Sequence, residues 1–302
     1  MTLHYICDSA DTGRTLFTVL RYRLHMSAGM IRRCKFQTIM YVNDEPAHTD
    51  LRLKAGDRIE LPLPAEQADF PPEPGALRIL YEDESLIALF KPAGIIIHPS
   101  ATRMRGTLAN RLLSYLGGGT IHCLNRLDRD TTGVTVFAKN SYIKSILTEQ
   151  LLAAQIHKSY IAPVYGALPE TSGVIDLPID RVGESSLFRC IREDGQPSRT
   201  AYKLISGHGL WNLYRFHPLT GRTHQIRLHC QASGAPILGD PYYHSDASAA
   251  FSDSLGLTVQ QLCCTEMSFM HPMTGQPLSI TVQPEFINAD WFQADHKEWQ
   301  QP

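Results

Sequence analysis

The sequence predicts an α+β protein of two domains, and three observations carry that expectation. The chain has 302 residues, about twice the length of a typical domain. Its N-terminal part joins a basic, helix-patterned stretch to short strand patterns, as a small module would. A proline-rich interval then separates that module from a longer body in which strand and helix patterns mix.

Leu16, Leu20 and Leu24, widened by Phe17, recur at helical spacing and predict a first helix ending near His25. Ser27 is the expected N-cap of a second, whose Met30, Ile31 and Cys34 face inward while Arg32, Arg33 and Lys35 stay outside. Ile39 to Val42 reads as a strand turned by Asn43 and Asp44, and Asp57 to Leu61 as another. Pro62, Pro64, Pro71, Pro72 and Pro74 then mark a linker. The expected boundaries are a module at 13–62, a linker at 63–76, a body at 77–287 and a tail at 288–302. In that tail Trp291, Phe292 and Trp299 are expected to pack.

The body opens with strand patterns at Leu77 to Tyr81 and Leu86 to Phe90 around an acidic turn. A polar cluster, Cys123 to Gly133, runs into a strand from Val134 to Ala138. Ser141 is the expected cap of a helix carrying Ile143, Ile146, Leu147, Leu151 and Ala154, and HKSYIAPVYGAL reads as the next strand. Farther on, the turn Thr220-Gly221-Arg222 precedes a segment where Ile226 and Leu228 alternate with Arg227 and His229.

Composition narrows the function. With 43% hydrophobic and 19% charged residues the chain falls among globular proteins, and no run approaches the ~20 apolar residues of a membrane helix. The opening MTLHYICDSADTG has no basic region followed by an apolar one, so a cytoplasmic location is expected. Seven scattered cysteines without a C-x-x-C pair read as reduced thiols, and the 13 histidines, without H-E-x-x-H, as structural; no metal is expected. Nothing suggests an obligate assembly, so a monomer is expected. The net charge of −2 argues against a nucleic-acid binder, yet Arg14, Arg21, Arg23, Arg32, Arg33 and Lys35 lie in one stretch with no Asp or Glu. Such a run cannot pair internally, which favours an anionic ligand.

The polar cluster holds the candidate chemistry. Asp128 lies between Arg126 and Arg129, cations that favour an ionised carboxylate able to act as nucleophile or base. Arg227, if it points inward, needs a partner, and Asp128 is the natural one. Tyr160, on the strand 32 residues beyond Asp128, reads alone as a core aromatic.

Asn125-Arg-Leu-Asp-Arg-Asp-Thr-Thr-Gly133 resembles the catalytic motif of the RluA-type pseudouridine synthases. Lys91 to Gly94 with His98 and Pro99, Lys158 to Gly166, and Gly221 to Tyr243 resemble that family's other motifs, in the same order. The segment from Arg14 to Leu61 is similar to an S4 RNA-binding domain, with Asn43-Asp44 in place of the more usual Asn-Gly. The resemblance implies a mixed, largely antiparallel catalytic domain behind a small S4 domain, isomerising uridine in structured RNA, ribosomal RNA foremost and transfer RNA as the alternative, without a cofactor. It implies that Asp128 is the essential aspartate, Arg227 its paired arginine, and Tyr160 the base-stacking tyrosine and proton acceptor. Arg126 would enter the RNA stack, and Arg129, Lys158 and Arg222 would face RNA together with Arg21, Arg32, Arg33 and Lys35. The family's usual His is replaced by Asn125, which puts the turn geometry more at issue than the chemistry. Rival readings are an RNA-binding protein with an inactive body and a hydrolase that releases uracil.

Overall fold

A computed structural model describes residues 1–183 and 188–295. Its first part contains β1 (Thr2–Ile6), α1 (Leu16–Tyr22), α2 (Ala28–Gln37), β2 (Tyr41–Val42), β3 (Glu45–Pro46) and β4 (Arg58–Pro62). Leu16, Val19 and Leu20 of α1 share a core with Met30, Ile31 and Cys34 of α2; the α2 stripe is the predicted one, whereas in α1 Val19 packs inward, Phe17 is exposed and Leu24 lies beyond the helix end. The Ser27 hydroxyl accepts from Met30 N at 3.1 Å, as expected of an N-cap. α1 stops at Tyr22, short of His25, which takes a left-handed φ of 54°. Asn43 and Asp44 turn the β2–β3 hairpin with φ of 55° and 69°, a conformation those side chains tolerate.

The four strands order as β1-β4-β2-β3. The sequence reading began this module at residue 13 and missed β1, because only Leu3 is fully buried on it and its partner β4 is distant in the chain. The basic run is also less bare than its sequence suggests. Arg23 pairs with Asp8 and with buried Asp11, both lying before the run.

Residues 63–76 are laid down against the body and do not form a free tether. Phe70 is buried edge-on against His98, Asn110 Nδ2 donates to the Pro71 carbonyl at 2.7 Å, and Glu73 N donates to the Asn110 carbonyl at 3.0 Å. Glu66 binds in both directions: Arg33 of α2 lies 2.6 Å from one carboxylate oxygen, and Ser141 N donates to the other at 3.0 Å. Prolines remove backbone donors and stiffen this stretch, yet its remaining polar groups find partners on the body.

The body comprises β5 (Arg78–Glu82), β6 (Leu86–Lys91), α3 (Leu108–Tyr115), β7 (His122–Cys123), β8 (Thr132–Ala138), α4 (Ser141–Leu152), β9 (His157–Tyr165), β10 (Ser172–Asp176), β11 (Ile179–Arg181), β12 (Arg189–Ile191), β13 (Arg199–His208), β14 (Trp211–Pro218), α5 (Gln225–Ala232), α6 (Asp246–Ser254), β15 (Cys263–Met270), β16 (Pro277–Thr281) and α7 (Asp290–Asp295). Its large sheet runs β10-β13-β14-β9-β15-β8-β6-β5, with β16 on β15 and β7 on β8. Among the described residues only β8 with β15 is parallel, so the sheet is mixed and largely antiparallel. β6 is buried along its whole length, which explains its unbroken apolar run.

Two sequence expectations are corrected here. The cap of α4 is Asn140, whose side chain accepts from Ile143 N at 2.9 Å; Ser141 is the first helical residue and serves Glu66 instead. The segment after Gly221 is the helix α5, not an alternating element. Every residue from Gln225 to Cys230 is buried, so the polar ones do not mark a solvent face and the helical period is hidden. At the C-terminus Phe292 and Trp291 pack with Trp211, Leu213, Phe286 and Ile287, as expected of the tail. Trp299 lies outside the described residues.

Candidate active site

One register line across the sheet builds the site. Gly133 of β8 stands opposite Cys264 of β15, Cys264 opposite Tyr160 of β9, and Tyr160 opposite Phe216 of β14. The turn carrying Asp128 feeds directly into β8, and β15, paired with β8 on one side and β9 on the other, links that turn to the strand bearing Tyr160. The close approach requires Gly133. A Cβ there would lie 2.1 Å from the Cys264 carbonyl oxygen, and its φ is +109°.

Arg227 of α5 is the centre of the site. Its side chain is 3% exposed, with Nε and Nη2 donating to Asp240 at 2.7 and 2.8 Å and Nη1 donating to Asp128 Oδ2 at 3.2 Å. Burial alone would lower the guanidinium pKa, but the hydrogen bonds and charge of Asp240, then of Asp128, raise it. Asp240 is fully committed, since its Oδ1 also accepts from the backbone of Tyr242 and Tyr243, each at 3.0 Å. Asp128 is the partly exposed member of this chain and has an open side toward solvent. Thus the expected Asp128–Arg227 pair exists. Arg126 and Arg129 do not supply the cation: Arg126 is exposed, and Arg129 makes three bonds of 2.8–3.1 Å to Asp130.

The turn is braced from beneath. Lys91, fully buried at the end of β6, donates to the Arg129 carbonyl at 2.6 Å and to the Pro92 carbonyl at 2.8 Å. Burial pushes its ammonium down to about 8, against the pull of Asp130 and Asp128. Gly94 N donates to Asp130 at 3.1 Å, so the Lys-Pro-Ala-Gly segment grips the turn at both Arg129 and Asp130. Asn125 donates to the Val134 carbonyl at 2.9 Å and accepts from Val136 N at 3.0 Å. That amide ties the turn to β8 through one donated and one accepted hydrogen bond.

Tyr160 is 8% exposed. Burial, then the neighbouring Cys264 thiol and Asp128, hold its phenol well above the usual tyrosine value. Lys158 on the same strand is half-buried, and burial lowers its ammonium pKa. Arg222 is exposed on the turn before α5, where Gln225 accepts from its backbone at 3.0 Å. Arg32 and Lys35 are exposed on α2 and Arg21 is half-buried, whereas Arg33 is tied to Glu66 and donates to Ser141 Oγ at 2.8 Å. The sequence reading missed Asp240, Lys91 as a brace, and the pair His224–Tyr243. Gly239-Asp240-Pro241 looks like any turn, and only an unpartnered buried Arg227 could have prompted the search for a second acid.

Residues 85–232 match the RNA pseudouridylate synthase family model. The chain is 33% identical over 252 residues to ribosomal large subunit pseudouridine synthase D of Xanthomonas campestris, covering 78% of this chain and 75% of that one. It is 32% identical over 282 residues to the RNA pseudouridine synthase YhcT of Bacillus subtilis, covering 91% of each. The structure of human RNA pseudouridylate synthase domain containing 1 superposes with a TM-score of 0.58 at 23% identity, covering 73% of this chain and 90% of that one. The chain is an RNA-modifying isomerase: it belongs to the RluA-type RNA pseudouridine synthases, which convert uridine in RNA to pseudouridine.

Proposed function

We propose that Asp128 is the reactive carboxylate of this isomerisation, that Arg227 positions it, and that the substrate is ribosomal RNA of the large subunit. The carrying observation is the Asp240–Arg227–Asp128 chain, in which a buried guanidinium paired with two acids presents one partly exposed carboxylate, on the turn entering β8, to the region of the sheet where Tyr160 lies one strand beyond β15. The reaction breaks the bond between uracil N1 and the ribose, turns the base and joins C5 to the same carbon; the C5 proton leaves and N1 takes one up, so the product is an isomer. Asp128 acts on the sugar or the base as nucleophile or base. Tyr160 stacks on the detached base and, from its buried place on β9, takes the C5 proton directly or through water.

The target must leave the RNA stack, at a cost of a few kcal/mol. Exposed Arg126 would fill the gap, while Arg129, Arg222 and Lys158 line the approach. The N-terminal module is proposed as an S4-type RNA-binding domain, contacting phosphate through Arg21, Arg32 and Lys35. Arg33 instead serves the junction with the body. The ribosomal assignment is supported by the X. campestris relative's name, and a monomer working in the cytoplasm is proposed with it.

The experiment maps pseudouridines across total RNA in a deletion strain, restored with the parent chain or with Asp128→Asn. One or more large-subunit sites should vanish, returning with the parent and not with the variant. Sites lost only from transfer RNA would overturn the substrate, and restoration by Asp128→Asn would overturn the catalytic role.

A further inference from the structure

His224 is the second group facing Asp128. It precedes α5 in the left-handed region, with φ 59° and ψ 16°, and makes no capping hydrogen bond with its side chain. A left-handed non-glycine residue persists only where its surroundings hold it. Here the imidazole is wedged: Nδ1 lies 2.9 Å from the Tyr243 hydroxyl, the two rings meet edge to face at 5.5 Å, and Nε2 lies 3.9 Å from Asp128 Oδ2. The Tyr243 oxygen already accepts from Arg189 N at 3.0 Å, so its own proton is available to His224 Nδ1. An Nδ1 that accepts leaves the hydrogen on Nε2, aimed at Asp128. Burial lowers the imidazole pKa, opposed by Asp128 and reinforced by Arg227 and Arg189, which favours the neutral ring.

We propose that His224 is a positioning residue for Asp128: a neutral imidazole, its tautomer set by Tyr243, whose Nε2–H donates to the carboxylate once RNA closes the remaining distance. Arg227 and His224 converge on the same oxygen, Oδ2, at 3.2 and 3.9 Å, so the imidazole adds a second direction that fixes the rotation of the carboxylate. Hydrogen bonds of this kind are commonly long in the free enzyme and shorten in the complex with substrate. The proposal rests on Asp128 being the reactive carboxylate.

The test uses the full chain and a uridine-containing target RNA tritiated at C5, with single-turnover release, RNA affinity and thermal unfolding measured together. Glycine is the residue best suited to a left-handed backbone, so His224→Gly removes the imidazole while leaving the turn at ease. The expected result is a single-turnover rate about 10- to 100-fold lower, the size of one hydrogen bond to a charged group, with RNA affinity and unfolding temperature unchanged. His224→Asn, which tolerates the same backbone and keeps an N–H donor, should recover most of the lost rate. Tyr243→Phe should lower the rate in the same direction, and the double variant His224→Gly/Tyr243→Phe should be no slower than His224→Gly alone. A parental rate in His224→Gly, or losses that multiply in the double variant, would overturn the proposal. If Asp128→Asn itself turns over, the reading of Asp128 fails first, and that result is separable from an active His224→Gly beside an inactive Asp128→Asn.

Discussion

Asp240→Asn isolates what holds Asp128, the proposed reactive carboxylate, in place. The substitution keeps the shape of the side chain and one acceptor oxygen, enough to serve the backbone of Tyr242 and Tyr243 and Arg227 Nη2. The other oxygen, which accepts from Arg227 Nε at 2.7 Å, becomes an amide that faces the guanidinium with a donor of its own. Arg227 is then a buried cation whose one remaining acid, Asp128, is partly open to water. Breaking a buried pair from one side costs roughly 3–5 kcal/mol. With an unfolding entropy of about 2.1 cal/mol/K per residue, a chain of this length should melt about 5–8 °C lower. Turnover should fall further than stability alone dictates, because a guanidinium displaced by about 1 Å misplaces Asp128, which is worth up to ~100-fold in rate. Thermal unfolding and tritium release from C5-labelled RNA read the two effects separately. A variant melting within a degree of the parent and turning over at the parental rate would refute the claim that Asp240 fixes Arg227.

Other expectations are as direct. Arg126→Ala should slow modification most on a well-stacked target and least on an unpaired one, where unstacking costs less; equal losses on both would remove the intercalation role. Neutralising Arg21, Arg32 and Lys35 together should flatten the slope of log affinity against log salt by about 2 to 3, and an unchanged slope would leave those cations as solvent-facing charges. Lys91 carries a pH signature. Burial holds it at about 8, below its ordinary 10.5, so unfolding takes up a proton between those values and stability rises with pH across that window. Relative to Lys91→Met, the parent should therefore gain about 3 kcal/mol between pH 8 and 10.5, and denaturant unfolding at the two ends that shows no relative gain would contradict the buried ammonium.

What the sequence made legible follows from what each residue does. The β8 and β9 strands were readable because β-branched and aromatic residues crowd a doubly buried strand, and α2 because its polar face meets solvent. α5 was not, since Gln225, Arg227 and His229 are polar residues inside the protein with their hydrogen bonds satisfied there, which erases the contrast a periodicity needs. Asp128 and Arg227 could be paired from their chemistry. Asp240 could not, because a carboxylate after glycine and before proline has an ordinary life as a turn residue, and only the distances at Arg227 reveal its task. The strand β1 pairs with residues far along the chain, and local pattern has no access to such a partner.

The pinned stretch at residues 63–76 has a consequence for any ligand long enough to touch both halves of the protein. Left loose, a chain of that length would let the module wander over roughly 20 Å, and each binding event would have to arrest that search. With Glu66 bonded to Arg33 on one side and Ser141 on the other, the search ends when the protein folds. The two surfaces then meet a long ligand at a fixed spacing, as marks on a ruler do. A second contact follows the first at a high effective concentration when the ligand's own geometry matches that spacing, and is forfeited when it does not.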